Sequence, residues 1–257
     1  MNKRYKKQRK SLLIFFLIIP LIASWATSKY MFNKISNRKT IKAVKIDLKD
    51  ETKKQIDGFE IYSIQVGSVN DHKEVENIVN NLQSSSIPSY VHKKEGAYKV
   101  YTYVSLEESN VRKYLENIRS SYSDAFISKV EVGSIDLEYT KKYEYMNVVC
   151  KNLNLMIENM KQESKFWNEY KSGISNYNDY IEIINNKSKI VDSLTNNSKK
   201  IKGKDAEHFE KKLSEFCEWY KVNIESVNEN LGNGNLKSCE KLFLSSLFKY
   251  NEFINKI

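Results

Sequence analysis

The chain reads as α+β: an N-terminal transmembrane helix, a small β-α-β-β-α-β sandwich, and an all-α C-terminal helical bundle. Three observations carry this. An uncharged run follows a basic tail, a two-fold repeat spans residues 59 to 132, and apolar side chains step by 3 and 4 from about Asp136 onward.

The 257 residues suit a membrane segment plus two small domains. Two prolines and eight glycines favour long regular elements with few tight turns. The formal charge is +10, but Lys3, Arg4, Lys6, Lys7, Arg9 and Lys10 supply six of those charges within the first ten residues. The remaining charge is spread thinly, so the basic balance does not imply nucleic acid as a partner. Three widely spaced cysteines, Cys150, Cys217 and Cys239, form neither a disulfide framework nor a zinc pattern, and read as small buried hydrophobes, with one bridge between helices as the alternative.

Residues 1–10 form a basic tail. Residues 11–32 hold the membrane helix: Ser11 to Ser28 carry no formal charge, and Lys29 stops the run. Eighteen helical residues reach about 27 Å, close to the hydrocarbon thickness of a bilayer. Trp25 and Tyr30 suit the interfacial belt, and the six cations hold the N-terminus in the cytoplasm. The body is then extracytoplasmic. A cleaved signal peptide ending near Ser24-Trp25-Ala26 is the alternative, and it leaves the body on the same side. Residues 33–57, rich in mixed charge, read as a tether.

Residues 58–132 are the most informative. Shifted by 36 residues, Tyr62-Ser63-Ile64-Gln65-Val66 overlays Tyr98-Lys99-Val100-Tyr101-Thr102. Val75, Ile78, Val79 and Leu82 overlay Val111, Tyr114, Leu115 and Ile118. Each apolar set marks one face of a helix, and each preceding segment alternates like a half-buried strand. Asn70-Asp71 caps the first helix, and Ser105-Leu106-Glu107-Glu108 matches a capping box before the second. Short strands follow at Ser89–His92 and Ala125–Ser128, and Glu95-Gly96 turns a hairpin. The order is that of a ferredoxin-like sandwich.

Alternation assigns the faces. Ile64, Val66, Val91, Val100 and Ile127 point toward the helices. Ser63, Gln65, Tyr90, His92, Lys99, Tyr101 and Tyr103 point to the open face. Rings beside amides and cations suit a sugar chain, whose C–H patches stack on aromatic faces. The same surface describes an RNA platform, but a sheet outside the membrane does not meet cytoplasmic RNA. Cross-strand tyrosine pairs that only brace the sheet are the plainer alternative.

Ile64-Gln65-Val66-Gly67-Ser68, a helix, Ile87-Pro88-Ser89-Tyr90-Val91 and Tyr98-Lys99-Val100 together resemble the SPOR (sporulation-related repeat) domain. The resemblance covers about residues 58–132. Val69 stands where that family's first motif has phenylalanine. Lys99 and Tyr101 replace arginines of its second motif, and Tyr103-Val104-Ser105 replaces its Gly-Pro-Phe. The resemblance implies binding of peptidoglycan, with a preference for glycan strands stripped of stem peptides, and enrichment at division septa. By match it gives a glycan-contacting role to Gln65, with Ser68 nearby.

Residues 136–257 read as a four-helix antiparallel bundle. Its apolar rows run Tyr143, Met146, Cys150, Leu153, Ile157, Met160 and Phe209, Leu213, Phe216, Tyr220, Ile224, Val227, Leu231. Ile174–Leu194 and Leu236–Ile254 are shorter helices, with breaks at Ser172-Gly173, Gly203-Lys204-Asp205 and Gly232-Asn233-Gly234. Phe166, Trp167, Phe216, Trp219, Phe243 and Phe248 are its core candidates.

No catalytic residue, metal ligand set or cofactor motif emerges: His72, His92 and His208 lack paired ligand spacing, and no glycine-rich phosphate loop is present. The expected function is a single-pass, membrane-anchored, non-enzymatic peptidoglycan-binding protein at sites of wall remodelling in division or sporulation. The alternative is an envelope scaffold that binds a protein partner through the sandwich or the bundle.

Overall fold

The computed structural model describes residues 40–42 and 51–257, apart from 95, 141, 142, 144 and 203–205. The expected tail and membrane helix, residues 1–32, lie outside the described residues, as does the break expected at 203–205. Among the described residues no helix is long and apolar enough to cross a membrane.

The strands are β1 (Thr40–Lys42), β2 (Glu51–Ile56), β3 (Phe59–Val69), β4 (Ser89–Lys94), β5 (Ala97–Ser105), β6 (Phe126–Val132) and β7 (Ile135–Thr140). The helices are α1 (His72–Ser84), α2 (Glu108–Arg119), α3 (Tyr145–Lys171), α4 (Tyr177–Ser198), α5 (Glu207–Gly232) and α6 (Leu236–Lys256). The protein is α+β, with its C-terminal part helical.

The order β3-α1-β4-β5-α2-β6 builds a four-stranded sheet, β4-β5-β3-β6, in which every neighbouring pair is antiparallel. The strands of each β-α-β unit are thus split by a neighbour from the other unit. Asp71 caps α1 by accepting from the Lys73 N–H at 3.2 Å. The second start differs from a capping box. α2 begins at Glu108, and Ser105 instead bonds the Glu107 N–H at 3.1 Å and the Ser164 hydroxyl of α3 at 3.0 Å. A tertiary partner has captured the capping hydroxyl. Gly96, at φ +84°, lies in the β4–β5 hairpin turn.

One core lies between this sheet and α1 and α2. Ile64, Val66, Val100, Val111, Leu115 and Ile118 fill it, with Val91 and Ile127 packed against it. The inward assignments from alternation therefore stand.

Part of the expected tether is strand. β2 pairs antiparallel with β7 along its whole length, and β1 pairs parallel with β7 on the other side. The short apolar alternation in this charged stretch left it unremarkable in sequence, and β7, the strand it pairs with, lies beyond the sandwich. Lys53 meets Asp136 across the β2–β7 pair at 3.0 Å. Asn154 of α3 locks the end of β2, donating to the Gln55 carbonyl and accepting from the Asp57 N–H, both at 2.9 Å.

Helices α3 to α6 pack in chain order, and the last returns against the first. Ser172-Gly173 and Gly234 supply the breaks, with Gly173 at φ +73° and Gly234 at φ +67°. Asn176 and Asp179 close a capping box at the start of α4. Phe166, Trp167, Phe216, Phe243 and Phe248 are buried and Trp219 is half-buried. This second core runs without a break from the bundle through β7 to the sheet face that α1 and α2 leave bare.

Candidate glycan-binding face

The face opposite α1 and α2 is built in cross-strand rows. Gln65 on β3 pairs with Tyr101 on β5 and with Phe126 on β6, and Tyr101 pairs with Tyr90 on β4. Residues directly opposite share a face, so Phe126–Gln65–Tyr101–Tyr90 is one continuous row. Ser63 lies in the next row with Val104 and Ser128, and Lys99 pairs with both Ser68 and His92.

The face is not open along its length. Phe248 of α6 stacks on Tyr90 and on Tyr101, with both centroid distances 4.9 Å, and lies 6.1 Å from the His92 ring. Glu252, one turn on, approaches His92 Nδ1 at 3.7 Å. Tyr101 is 4% exposed and Ser63 is fully buried. The Ser63 hydroxyl has no hydrogen-bond partner. The expectation that these rings stand open to solvent is corrected: Phe248 of the bundle packs over both Tyr90 and Tyr101. Burial, with Glu252 and Tyr101 adding to it, pushes the Tyr90 hydroxyl up to about 12. Burial also raises Tyr101, against a hydrogen bond to Ser128 that lowers it.

Tyr103 departs from its expected side. Ser63 pairs with Val104 but Ile64 pairs with Thr102, so Tyr103 is an extra residue on β5, a β-bulge. Its φ is +41°, rare for a non-glycine residue. The bulge shifts the alternation by one, and the Tyr103 ring stacks on Tyr114 of α2 at 4.4 Å. Lys171 Nζ sits 4.4 Å from the Tyr103 centroid and pairs with Glu240.

The remaining predicted residues lie at the margin. Gln65 is 9% exposed, Ser68 is exposed, and His92 and Lys99 are half-buried. The structure adds Phe126, 48% exposed and directly opposite Gln65. The signal for it was in the sequence, since Ile127 facing the helices turns Phe126 to the other side. The face therefore divides into a covered half around Tyr90, Tyr101 and Ser63 and an uncovered margin at Phe126 and Ser68, with the largely buried Gln65 at the boundary between them.

Among the described residues no group of three or more His, Cys, Asp or Glu side chains is placed to hold a metal ion. Cys150, Cys217 and Cys239 are buried free thiols. Compared with known proteins, the chain matches no family model, no curated protein and no solved structure.

Proposed function

We propose that this chain is a non-enzymatic, membrane-anchored envelope protein that binds peptidoglycan glycan strands through a ferredoxin-like, SPOR-like sandwich. It localises to sites of wall remodelling in division or sporulation. Residues 11–32 anchor it with the N-terminus cytoplasmic, and the bundle offers a surface to a second envelope protein. The strand order β4-β5-β3-β6 and the motif residues Gln65 and Ser68 support the reading.

The observation that carries it is the pairing of Gln65 with the exposed ring of Phe126 on the sheet face away from the helices. A pyranose stacks its C–H face on such a ring while the neighbouring amide pairs with a hydroxyl or acetamido group. Co-sedimentation of the full chain with purified sacculi tests this. Gln65→Ala and Phe126→Ala should each reduce pelleting, and the double variant should abolish it. Unchanged pelleting of the double variant would remove the margin as the glycan site.

A second reading is favoured by one observation, the stacking of Tyr90 and Tyr101 on Phe248. Here the face serves only to fasten the bundle, and the protein is an envelope scaffold for a protein partner. Under that reading the parent chain does not pellet with sacculi at all.

A further inference from the structure

A cleft of about 570 Å³ opens on the other side of the sandwich, between the C-terminal ends of α1 and α2. Leu82 and Ile118 form its apolar floor, Asn81, Ser84, Asn117 and Ser120 its rim, and Tyr103 and Tyr122 its aromatic wall. Rim and floor come in pairs related by the 36-residue repeat: Asn81 with Asn117, Leu82 with Ile118, Ser84 with Ser120. The repeat therefore presents matching groups from both sides of the cleft.

The lining decides the ligand class. No lining residue carries a charge, so neither a phosphate nor a carboxylate finds a counter-ion. Two helix C-termini would favour a cation, but the Asn81, Leu82, Asn117 and Ile118 carbonyls already accept hydrogen bonds. Ser84 Oγ donates to the Asn81 carbonyl at 2.8 Å, and Ser120 Oγ to the Asn117 carbonyl at 2.6 Å. The Ile87 and Tyr122 N–H groups donate to the Leu82 and Ile118 carbonyls, at 2.8 and 2.9 Å. What is left is hydroxyl lone pairs, two exposed side-chain amides that each donate and accept, and two rings over an apolar floor. That is complementary to a neutral polyol with one apolar face. The volume falls in the range of small-ligand sites.

Tyr103 ties the cleft to the bulge. Its left-handed backbone turns the ring out of the covered sheet face and into this wall, where Tyr114 and Lys171 hold it.

We propose that this cleft binds a neutral, N-acetylated saccharide, one or two pyranose units at a time. The choice of an N-acetylated sugar rests on the peptidoglycan reading, but the cleft itself does not depend on glycan contact at the Gln65 margin. Full chain in detergent micelles, with labelled asparagine side chains, is titrated with chitotetraose and followed by NMR. The side-chain amide signals of Asn81 and Asn117 should shift on titration. Replacing both by Ala should weaken binding by about tenfold, the loss expected for two hydrogen-bonding groups. Gln65→Ala should leave the affinity unchanged. Both asparagines are exposed, so the double variant should keep the parent's thermal unfolding curve. Absence of binding at millimolar sugar, equal affinity in the double variant, or loss of binding with Gln65→Ala would each overturn the proposal. Failure of sacculus pelleting with chitotetraose binding intact would overturn the margin reading alone.

Discussion

The Phe248 ring lies over the Tyr101 ring with centroids 4.9 Å apart and planes inclined by 30°. One residue belongs to the last helix of the bundle and the other to a central strand of the sandwich. Their contact carries the bundle core onto the sheet face that α1 and α2 leave bare.

Phe248→Ala should therefore destabilise the protein by about 3–5 kcal/mol, as for other buried aromatic truncations. It removes stacking on both Tyr90 and Tyr101 and leaves a cavity between sheet and bundle. Phe248→Leu should cost less, because it refills part of that space. Urea unfolding followed by circular dichroism measures both. A loss below about 1 kcal/mol for the alanine variant would mean that the bundle does not rest on this face.

The bundle core holds a buried ion pair. Lys187 and Glu163 are each 1% exposed and in contact, and the Tyr180 hydroxyl donates to Glu163 Oε1 at 2.8 Å. Lys187→Met should cost about 3–5 kcal/mol, since it strands a buried carboxylate. Adding Glu163→Leu and Tyr180→Phe should restore much of that loss, because no charge or hydroxyl is then left unpaired. Denaturant midpoints of the two variants decide it; a triple variant weaker than Lys187→Met would contradict the account.

Burial pushes the thiols of Cys150 and Cys217 up from 9.0 to about 11, and that of Cys239 to about 12. A folded-state value above the unfolded one means that the folded chain holds these protons more tightly. Their contribution to stability is complete below pH 9 and is lost as the pH rises from 9 through 11 for Cys150 and Cys217 and through 12 for Cys239. Native protein at pH 8 should react with a thiol reagent only as fast as it opens, and unfolding midpoints should fall between about pH 9 and 11. Rapid labelling of three thiols at pH 8 without unfolding would contradict their burial.

Gly58 sits in the link between β2 and β3, where the two sheets meet. A Cβ placed there would stand 2.7 Å from the Val132 carbonyl oxygen and 2.9 Å from the Ser134 nitrogen. Both are backbone atoms and cannot swing aside. Gly58→Ala should cost about 1–3 kcal/mol, the usual range for overpacking. Thermal unfolding measures it, with Gly133→Ala as the control, since a Cβ there meets nothing within 4 Å.

Much of the sandwich was legible in the sequence because its signals are local. The 36-residue repeat gave both β-α units, and alternation assigned Ile64, Val66, Val91, Val100 and Ile127 to the helix side. Helix periodicity and the glycine breaks gave the bundle, since spacing of 3 and 4 is written within each segment. The Tyr103 assignment failed because a bulge moves every later residue of the strand to the opposite face, and nothing in Val-Tyr-Thr-Tyr-Val marks where the extra residue falls. Strands β1, β2 and β7 were missed, the last inside residues 136–257 that read as bundle, because their stability comes from pairing with one another across the sandwich sequence.

By itself, then, the sequence determined the strands and helices of the sandwich, the helices of the bundle and, short of the Tyr103 bulge, which side chains share a face, because periodicity is a short-range property of the backbone. Only the tertiary structure decided which of those faces meets solvent. Tyr90 and Tyr101 alternate outward as expected, yet Phe248 covers them while Phe126 in the same row stays exposed. Coverage depends on where a distant helix lands, and burying apolar surface between sheet and bundle is favourable wherever the two fit.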